Sequence, residues 1–225
     1  MNPSPITRKN IIKISLLSLC VIAIVLFSQF IDIRTKIVFC NVGQGDGAYI
    51  RIKNRIDILI DSGPDKKILD CLGKFMPFWD RKIELVFISH HDKDHYGGLF
   101  NIVDRYRIGK IITVDYRFDK KAYQKLVKKI RDKKINYSFT YRGDKIEVLQ
   151  DAFIIYWPPK YIKTYDSNDY SLILVFQEDG FRAVFTGDAS PLSMNRLSDR
   201  SLTNVHILKI PHHGSKNGLS ENFFE

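Results

Sequence analysis

The sequence predicts a mixed α/β domain that follows one membrane-spanning helix at the N-terminus. Three observations support this fold class. Residues 14–31 form an apolar run, short strand-like runs alternate with helical ones from residue 37 onward, and a cluster of histidines and aspartates follows one of these strands. The 225 residues, 44% of them hydrophobic, suit one or two domains with a buried core. We therefore expect an N-terminal tail and membrane anchor over residues 1–36 and a globular domain over residues 37–225.

The apolar run 14–31 is interrupted only by three serines and one glutamine. A membrane-spanning helix needs about 20 mostly apolar residues, so the run is just long enough. A cleaved signal peptide and a buried core helix are the alternatives, although no small-x-small cleavage site follows the run. Because Arg8, Lys9 and Lys13 precede it, the positive-inside rule places the N-terminus in the cytoplasm and the globular domain outside it.

The remaining elements follow from hydrophobic periodicity and from turns built on glycine and asparagine. Strands are predicted over residues 37–42, 48–53, 56–60, 83–88, 110–114, 146–149, 152–157, 171–177, 181–185 and 205–210. Helices are predicted over residues 66–75, 97–106, 119–134 and 191–198. Strands interspersed with helices indicate sheets covered by helices rather than an all-α or all-β domain.

The chain is basic, with a formal net charge of +10. The first 36 residues hold five basic residues and one acidic residue, which leaves +6 on the globular domain. Such a charge is compatible with a polyanionic substrate, with a membrane surface or simply with solubility. Nine basic residues lie in the segment 117–134, which is either a solvated helix face or a surface that contacts phosphates.

The three cysteines fit neither a disulfide framework nor a CxxC zinc site. Cys20 lies in the apolar run, Cys40 in a predicted strand and Cys71 in a predicted helix. We expect all three to be small buried apolar side chains, and the sequence leaves open whether Cys40 pairs with Cys71.

The strongest functional signal is the segment 89–95, which reads SHHDKDH. The spacing H-x-D-x-D-H lets one loop supply imidazole and carboxylate ligands to two neighbouring divalent ions. The segment also follows an apolar strand, and loops at strand ends are where rigid scaffolds present catalytic groups. The alternative is a polar surface turn that is rich in histidine by chance.

A glycine-rich segment, GQGDG, occupies residues 43–47. It does not fit a dinucleotide-binding fingerprint, because Ala48 stands where the third glycine belongs and a strand follows instead of a helix. We expect its glycines to let the backbone pass close to the metal edge. Asp46 is then a candidate for orienting a ligand or facing the substrate.

Taken together, these motifs resemble the metallo-β-lactamase-fold hydrolases and, within that superfamily, the ComEC-type branch associated with DNA uptake. The resemblance covers residue 37 to the end of the chain and rests on NVGQGDG at 41–47, LIDSG at 59–63, HxDxDH at 90–95, NDYSL at 168–172, TGD at 186–188 and HHGS at 212–215. It implies a four-layer αββα sandwich, with a metal site along one edge where the two sheets meet.

The resemblance also implies a set of site residues. His90 and Asp92 would bind one ion, Asp94 and His95 the other, and Asp188 would bridge both. Asp94 is also a catalytic candidate. His212 or His213, with His213 favoured, would complete the metal shell or protonate the leaving group. Residues expected to orient ligands or to bind substrate are Asp46, Asp61, Asn168, Ser171 and Ser215.

Two departures from the superfamily pattern bear on the chemistry. No histidine lies between His95 and Asp188, where other members carry a ligand, and this disfavours zinc β-lactamase activity. Asp92 replaces a histidine and favours manganese or magnesium by ligand type, whereas the general affinity order favours zinc. We therefore expect two divalent ions, zinc or manganese, with magnesium as a further candidate.

The end of the chain, residues 220–225, has the pattern of an amphipathic helix without a stop signal. Members of the family continue with further strands, so we expect the domain to be incomplete at its C-terminus.

The resulting functional prediction is a metal-dependent phosphodiesterase or nuclease. It would act on DNA or a nucleotide at the outer face of the membrane, with hydroxide as the nucleophile. A hydrolase of lactones or other small esters is one alternative, and a non-catalytic, membrane-tethered binding module is another. A single apolar segment cannot form a transport channel by itself, so uptake is not predicted.

Overall fold

The computed structural model describes residues 7–31, 33–116, 120–164, 166–197, 202–216 and 218. The first element is helix α1, Arg8–Ile31. Its large apolar side chains are exposed, among them Leu17 and Phe27 at 66% and 67%. Within it, Arg8–Phe27 is long and apolar enough to cross a membrane, with a mean hydropathy of 2.5 and no burial against the rest of the protein. A helix that is apolar on all sides and covered by nothing is typical of a membrane span.

The first sheet is built from the N-terminal half of the globular domain. Its strands are β1 (Lys36–Phe39), β2 (Ala48–Ile52), β3 (Ile56–Ile60), β4 (Lys82–Ile88), β5 (Arg107–Thr113) and β6 (Asn136–Phe139), adjacent in this order. The pairs β1–β2 and β2–β3 are antiparallel, whereas β3 to β6 run parallel. The parallel strands therefore all end at the same edge of the sheet.

The second sheet is built from the C-terminal half. Its strands are β7 (Lys145–Val148), β8 (Asp151–Trp157), β9 (Ile173–Glu178), β10 (Phe181–Phe185) and β11 (Ile207–Leu208). The spatial order is β11-β10-β9-β8-β7, antiparallel except for the parallel pair β10–β11. Because β10 and β11 are parallel, the loops that follow them also meet at one edge.

Helices cover the outer faces of both sheets. They are α2 (Ile68–Phe75), α3 (Lys93–Tyr96), α4 (Leu99–Arg105), α5 (Lys121–Asp132) and α6 (Pro191–Asn195). One buried cluster packs α2, α4 and α5 against the first sheet, and another packs α6 against the second. A third cluster, which includes Ile58, Phe87 and Phe176, lies between the sheets. The result is the expected four-layer αββα sandwich.

The predicted elements are present, with three differences in detail. The helix predicted over 97–106 is α4, Leu99–Arg105, and the preceding short helix α3, Lys93–Tyr96, was not predicted; Gly97 and Gly98 between them lie against the backbone of Pro64 and Ser62 with no room for side chains. The strand β6 was not predicted, since it has only four residues at a sheet edge. The last strand spans only Ile207–Leu208. The amphipathic helix expected over 220–225 lies outside the described residues.

The prediction for the cysteines was wrong. Cys40 and Cys71 form a disulfide with a Cα–Cα distance of 5.7 Å, and Cys20 is exposed on α1. The pairing arises because the chain leaving β1 passes directly over α2. Contact of this kind depends on tertiary packing and is not visible in cysteine spacing.

Candidate metal centre

The predicted metal-binding residues lie in loops that meet at one edge of the sandwich. Asp61 directly follows β3, and the segment 89–95 follows β4 in parallel register. Asp188 follows β10, and His213 lies in a turn after β11. A hydrogen bond from the backbone N–H of Leu172 to the carbonyl of Ser89, 2.8 Å, joins the two sheets at this edge. The parallel strand pairs therefore place four sequence-distant loops together.

Four side chains converge on one point: Asp94, His95, Asp188 and His213. Each offers a ligand atom that lies within 4.8 Å of the other three. His95 Nε2 is 3.2 Å from Asp188 Oδ1, and His213 Nε2 is 3.4 Å from Asp188 Oδ2 and 3.5 Å from Asp94 Oδ2. Two imidazoles and two carboxylates in this arrangement are a ligand set for a divalent transition metal.

The polar atoms at this point also fit a cation because several of them are buried without a hydrogen bond. Among the described residues, His90 Nε2, His95 Nε2 and Asp188 Oδ1 each have no hydrogen-bond partner and no solvent exposure. Buried polar atoms are nearly always hydrogen-bonded, so orphaned atoms that face one another indicate an ion. The residues present therefore fit a bound divalent metal.

The rings of His90 and His95 are held from behind by Ser89 and Asp61. Asp61 Oδ2 is 2.9 Å from His95 Nδ1 and also accepts a 2.7 Å hydrogen bond from the Ser89 hydroxyl. The Ser89 Oγ in turn lies 3.0 Å from His90 Nδ1 and 3.2 Å from His95 Nδ1. Because these contacts engage Nδ1, both rings turn Nε2 toward the cluster. A carboxylate that orients a histidine in this way is common around bound metals.

A second aspartate, Asp46, holds His213 in the same manner. Asp46 Oδ1 is 3.0 Å from His213 Nδ1, so His213 Nε2 faces Asp94 and Asp188. The ammonium group of Lys209 contacts the other oxygen of Asp46 and donates a 2.9 Å hydrogen bond to the carbonyl of Gly187. Lys209 thus balances the charge of Asp46 and ties it to the loop that carries Asp188.

His90 and Asp92 form a separate pair beside the four-residue group. His90 Nε2 is 3.9 Å from Asp92 Oδ2, and the His90 ring centroid is 4.1 Å from that of His95. The other oxygen of Asp92 contacts the ammonium group of Lys120, which lies just before α5. The pair predicted for the other ion thus lies beside the four-residue group, with a lysine on its carboxylate, and the second ion stays a prediction.

The concentration of carboxylates changes the proton affinity of the histidines. Burial by itself lowers the pKa of His95, but the carboxylates of Asp61 and Asp188 outweigh it and raise the pKa to about 10. Contacts with three carboxylates raise the pKa of His213 to about 11. The carboxylates thus stabilise a positive charge at this point, whether on protonated histidines or on a bound cation.

The glycine-rich segment passes directly over the metal loop. A Cβ atom on Gly45 would lie 2.3 Å from the carbonyl oxygen of Asp94, and the φ angle of Gly45 is +133°. The backbone N–H of Asp46 donates a 3.2 Å hydrogen bond to the same carbonyl. Only glycine permits this approach, which agrees with the role expected from the sequence and brings Asp46 to His213.

The other predicted residues lie outside the four-residue group. The His212 ring centroid is 6.2 Å from that of His213, and the two rings are perpendicular. Ser171 is buried, with its hydroxyl unpartnered among the described residues. Asn168 lies in the 3-10 turn Asn168–Tyr170, and the backbone N–H of Ser215 donates to the carbonyl of His212, 2.8 Å.

Three residues with direct contacts in the site were not singled out from the sequence: Ser89, Lys120 and Lys209. Ser89 opens the metal loop and Lys209 lies three positions before His212, so both adjoin recognised motifs. Lys120 belongs to the basic segment that was interpreted as either a solvated face or a phosphate-contacting surface. Nothing in its spacing distinguishes it from the other lysines.

A cleft opens beside Asp46 between the edges of the two sheets. Its lining includes Phe39, Asp46, Phe185 and Lys209. Phe39 is 49% exposed, and its ring centroid is 5.9 Å from that of Phe185. The cleft thus combines an aromatic surface with charged groups next to the cluster.

Comparison with known proteins agrees with this geometry. The family model described as the metallo-beta-lactamase superfamily matches residues 41–224. The metallo-beta-lactamase fold protein YhfI from Bacillus subtilis superposes with a TM-score of 0.51 at 17% identity, over 73% of this chain and 66% of that one. This likeness shows the common fold.

Two curated proteins are similar in sequence. Recombination protein 2 of Haemophilus influenzae is 26% identical over 220 residues, which cover 95% of this chain. ComE operon protein 3 of Bacillus subtilis is 22% identical over 208 residues, which cover 82% of this chain. In each case the match spans only 26% of the relative's own length. The chain belongs to the metallo-beta-lactamase superfamily and, within it, to the ComEC-type proteins.

Proposed function

We propose that the protein is a metal-dependent phosphodiesterase that hydrolyses DNA or a nucleotide outside the cytoplasm. The observation that supports metal-dependent hydrolysis best is the convergence of Asp94, His95, Asp188 and His213, with buried atoms that have no hydrogen-bond partner among the described residues. A binding site for a structural ion has no need of an open rim, whereas the side chain of His213 is 25% exposed.

In this proposal, His95, Asp94, Asp188 and His213 would hold one divalent ion, and His90 and Asp92 would contribute to a second. When bound, such ions lower the pKa of water toward about 7 and offset the charge that develops on phosphate oxygens. Asp61 and Asp46 would hold the Nδ1 proton on His95 and His213, so that a bound ion would displace the Nε2 proton of each ring and take its lone pair. Lys120 lies at the rim of the second site, where its ammonium group can meet a phosphate.

The substrate assignment depends on three features. The ComEC-type branch is associated with DNA uptake, and one relative is called a recombination protein. The chain is basic, which favours a polyanion. The cleft beside Asp46 presents the exposed ring of Phe39, and nucleobases stack on such rings.

The location is inferred from α1 and from the disulfide. Basic residues precede the apolar run of α1, which favours a cytoplasmic N-terminus. The bond between Cys40 and Cys71 is stable in oxidising compartments, which lie outside the cytoplasm. Both features support a globular domain at the outer face of the membrane.

The decisive experiment uses the full chain purified in detergent, stripped with a chelator and reloaded with manganese or zinc. A fluorescent single-stranded oligonucleotide, a small phosphodiester and a lactone are offered as substrates, and metal content is measured by elemental analysis. We expect metal-dependent cleavage of the phosphodiesters. The variants Asp94→Asn and Asp188→Asn should lose it, and Asp132→Asn, on an exposed face of α5, should retain it.

Two other outcomes would replace this proposal. Lactone hydrolysis without phosphodiester cleavage would make the protein a small-ester hydrolase. Oligonucleotide binding that is equal in the parent and in Asp94→Asn, with no cleavage by either, would make it a tethered binding module.

A further inference from the structure

The end of the first sheet opposite the metal centre carries an exposed aromatic pair. Phe78 and Trp79 lie in the loop between α2 and β4, are 78% and 44% exposed, and stack edge to face at 4.8 Å. Neighbouring exposed aromatic side chains form an apolar patch of the kind that marks interaction sites. This pair therefore marks a contact surface that the metal chemistry does not explain.

The same end of the sheet is where the apolar helix joins the domain. Lys36, the first residue of β1, is the strand neighbour of Arg51. Arg51 Nη1 lies 3.3 Å from Asp80 Oδ2, and Asp80 directly follows Trp79. The five chain steps from Ile31 to Lys36 span at most about 18 Å. The end of α1 thus lies within about 18 Å of Lys36, which is at the same end of the sheet as the aromatic pair.

Exposed basic residues lie at the same end of the sheet as the pair. Arg55 lies in the hairpin between β2 and β3, Arg81 immediately precedes β4, Lys82 begins β4, and Arg107 begins β5. These strand starts are neighbours, since Lys82 pairs with Arg107 in register. We name this set the aromatic–basic surface: Phe78, Trp79, Arg55, Arg81, Lys82 and Arg107.

We propose that the aromatic–basic surface docks on an anionic lipid bilayer, with Phe78 and Trp79 at the level of the headgroups and the four basic residues on lipid phosphates. Tryptophan and phenylalanine favour the membrane interface, and lysine and arginine near an anionic surface add electrostatic attraction. The inference requires that α1 spans the membrane, because the short tether then holds this end of the domain at the bilayer.

Docking in this way orients the metal centre. The seven residues of β4 run from the aromatic–basic surface to the metal loop, so at about 3.3 Å per residue the two lie roughly 20 Å apart. The open rim at His213 then faces away from the lipid, where a polymer can enter.

An aromatic and basic surface also suits single-stranded DNA. We favour the bilayer as the partner because the short connection to α1 holds this end of the domain next to the membrane.

The protein contains its own probe for this contact. It has two tryptophans, and Trp157 is only 1% exposed. Quenching of tryptophan emission from outside the protein therefore reports on Trp79.

The full chain is reconstituted into phosphatidylcholine vesicles with or without phosphatidylglycerol, some carrying a nitroxide near the lipid headgroup. Emission is compared with that of Trp79→Phe, of the pair Arg81→Glu and Lys82→Glu, and of Phe78→Ala. The matched control is the pair Lys121→Glu and Lys125→Glu, at the start of α5 near the opposite end of the sheet.

We expect the nitroxide lipid to quench the parent, most strongly with phosphatidylglycerol present. Quenching should be lost in Trp79→Phe, weakened by the reversals at Arg81 and Lys82 and by Phe78→Ala, and unchanged in the control pair. Thermal unfolding of each variant checks that it is folded.

Three results would overturn the proposal. If the chain floats with the vesicles but Trp79 is quenched by dissolved acrylamide and not by the lipid, the domain stands away from the bilayer while the anchor remains valid. If the chain does not float, the anchor and the docking both fail. If a single-stranded oligonucleotide alone shifts the Trp79 emission, and Phe78→Ala removes that shift, the surface binds nucleic acid instead. None of these results depends on phosphodiester cleavage, which is measured separately.

Discussion

Single aspartates behind the histidines determine which ring nitrogen faces the metal centre. Asp61 contacts Nδ1 of His95 and Asp46 contacts Nδ1 of His213, at 2.9 and 3.0 Å. A neutral imidazole with its proton on Nδ1 has its lone pair on Nε2. These two carboxylates therefore orient both histidines of the four-residue group toward a cation.

Replacing the aspartate behind His95 should weaken metal binding. We expect Asp61→Asn to lower the affinity for manganese or zinc by about 10- to 100-fold, because the ring loses its orienting carboxylate. Titration against a competing chelator measures this change. Asp132→Asn serves as the control, since Asp132 is exposed and pairs only with Lys128 among the described residues. Equal affinity in Asp61→Asn and the parent would refute the orienting role.

Two glycines should respond in opposite ways to replacement by alanine. Gly45→Ala should destabilise the domain and weaken metal binding, because the new Cβ would meet the carbonyl of Asp94 at 2.3 Å in a left-handed backbone conformation. A Cβ atom on Gly73, inside α2, would meet no atom of a neighbouring element within 4 Å. Gly73→Ala should therefore stabilise the protein by up to about 1 kcal/mol. Thermal unfolding of both variants checks the pair, and a stable Gly45→Ala with intact metal binding would contradict it.

At the scale of elements, the disulfide fastens the chain that leads into the glycine-rich segment. Cys40 immediately follows β1, and Cys71 lies within α2 on the outer face of the first sheet. The bond thereby restrains the segment that carries Asp46. A constraint of this kind acts mainly on the unfolded chain.

Removal of the disulfide should destabilise the domain measurably. The bonded cysteines are 31 positions apart, and a loop of that length corresponds to about 3 to 4 kcal/mol in the free energy of unfolding. Cys71→Ala should show this loss in thermal unfolding without reductant. Cys20→Ala should not, because Cys20 is exposed on α1 and unbonded. An unchanged midpoint for Cys71→Ala would show that the bond contributes little.

At the scale of the whole molecule, the candidate metal centre draws its residues from both sheets. Asp94 and His95 come from the loop after β4 of the first sheet, whereas Asp188 and His213 follow β10 and β11 of the second. A cation held by all four would resist separation of the layers. Without it, the described contacts that join the sheets here include the cluster between them and the hydrogen bond from Leu172 to Ser89.

Metal removal should therefore lower the melting temperature of the full chain. A ligand that binds only the folded state at about 1,000 times its Kd stabilises by about 4 kcal/mol. We expect chelation to lower the midpoint and manganese or zinc to restore it, as followed by circular dichroism. In Asp188→Asn the difference between chelated and metal-loaded samples should disappear. A parent protein that melts identically in both conditions would exclude a cation between the sheets.

The helix α1 should make the molecule an integral membrane protein. We expect the full chain to stay with membranes after washing with high salt and alkali. Substituting Leu17→Arg together with Ile24→Arg in the apolar run should release it, since a charge at the centre of a membrane helix costs about 2.5 to 3.5 kcal/mol each. Release of the parent by salt would show that charge, and not α1, holds it there.

Local pattern accounts for most of the secondary structure because each signal is contained within a few neighbouring residues. The apolar strands β2 to β5, the amphipathic helix α5 and the run within α1 are each defined by their own periodicity. The short helix α3 and its separation from α4 at Gly97 and Gly98 are different, because the backbone of Pro64 and Ser62 approaches these glycines from another loop.

The sequence by itself determined the elements, the superfamily and the identity of the metal-binding candidates, because these reside in short motifs of neighbouring residues. Tertiary structure decided which candidates meet. It brought His213 into the cluster and left His212 outside, paired Cys40 with Cys71, and placed Lys120 and Lys209 on Asp92 and Asp46. The physical reason is that these contacts join loops from two sheets, and their distances depend on how the layers pack rather than on spacing along the chain.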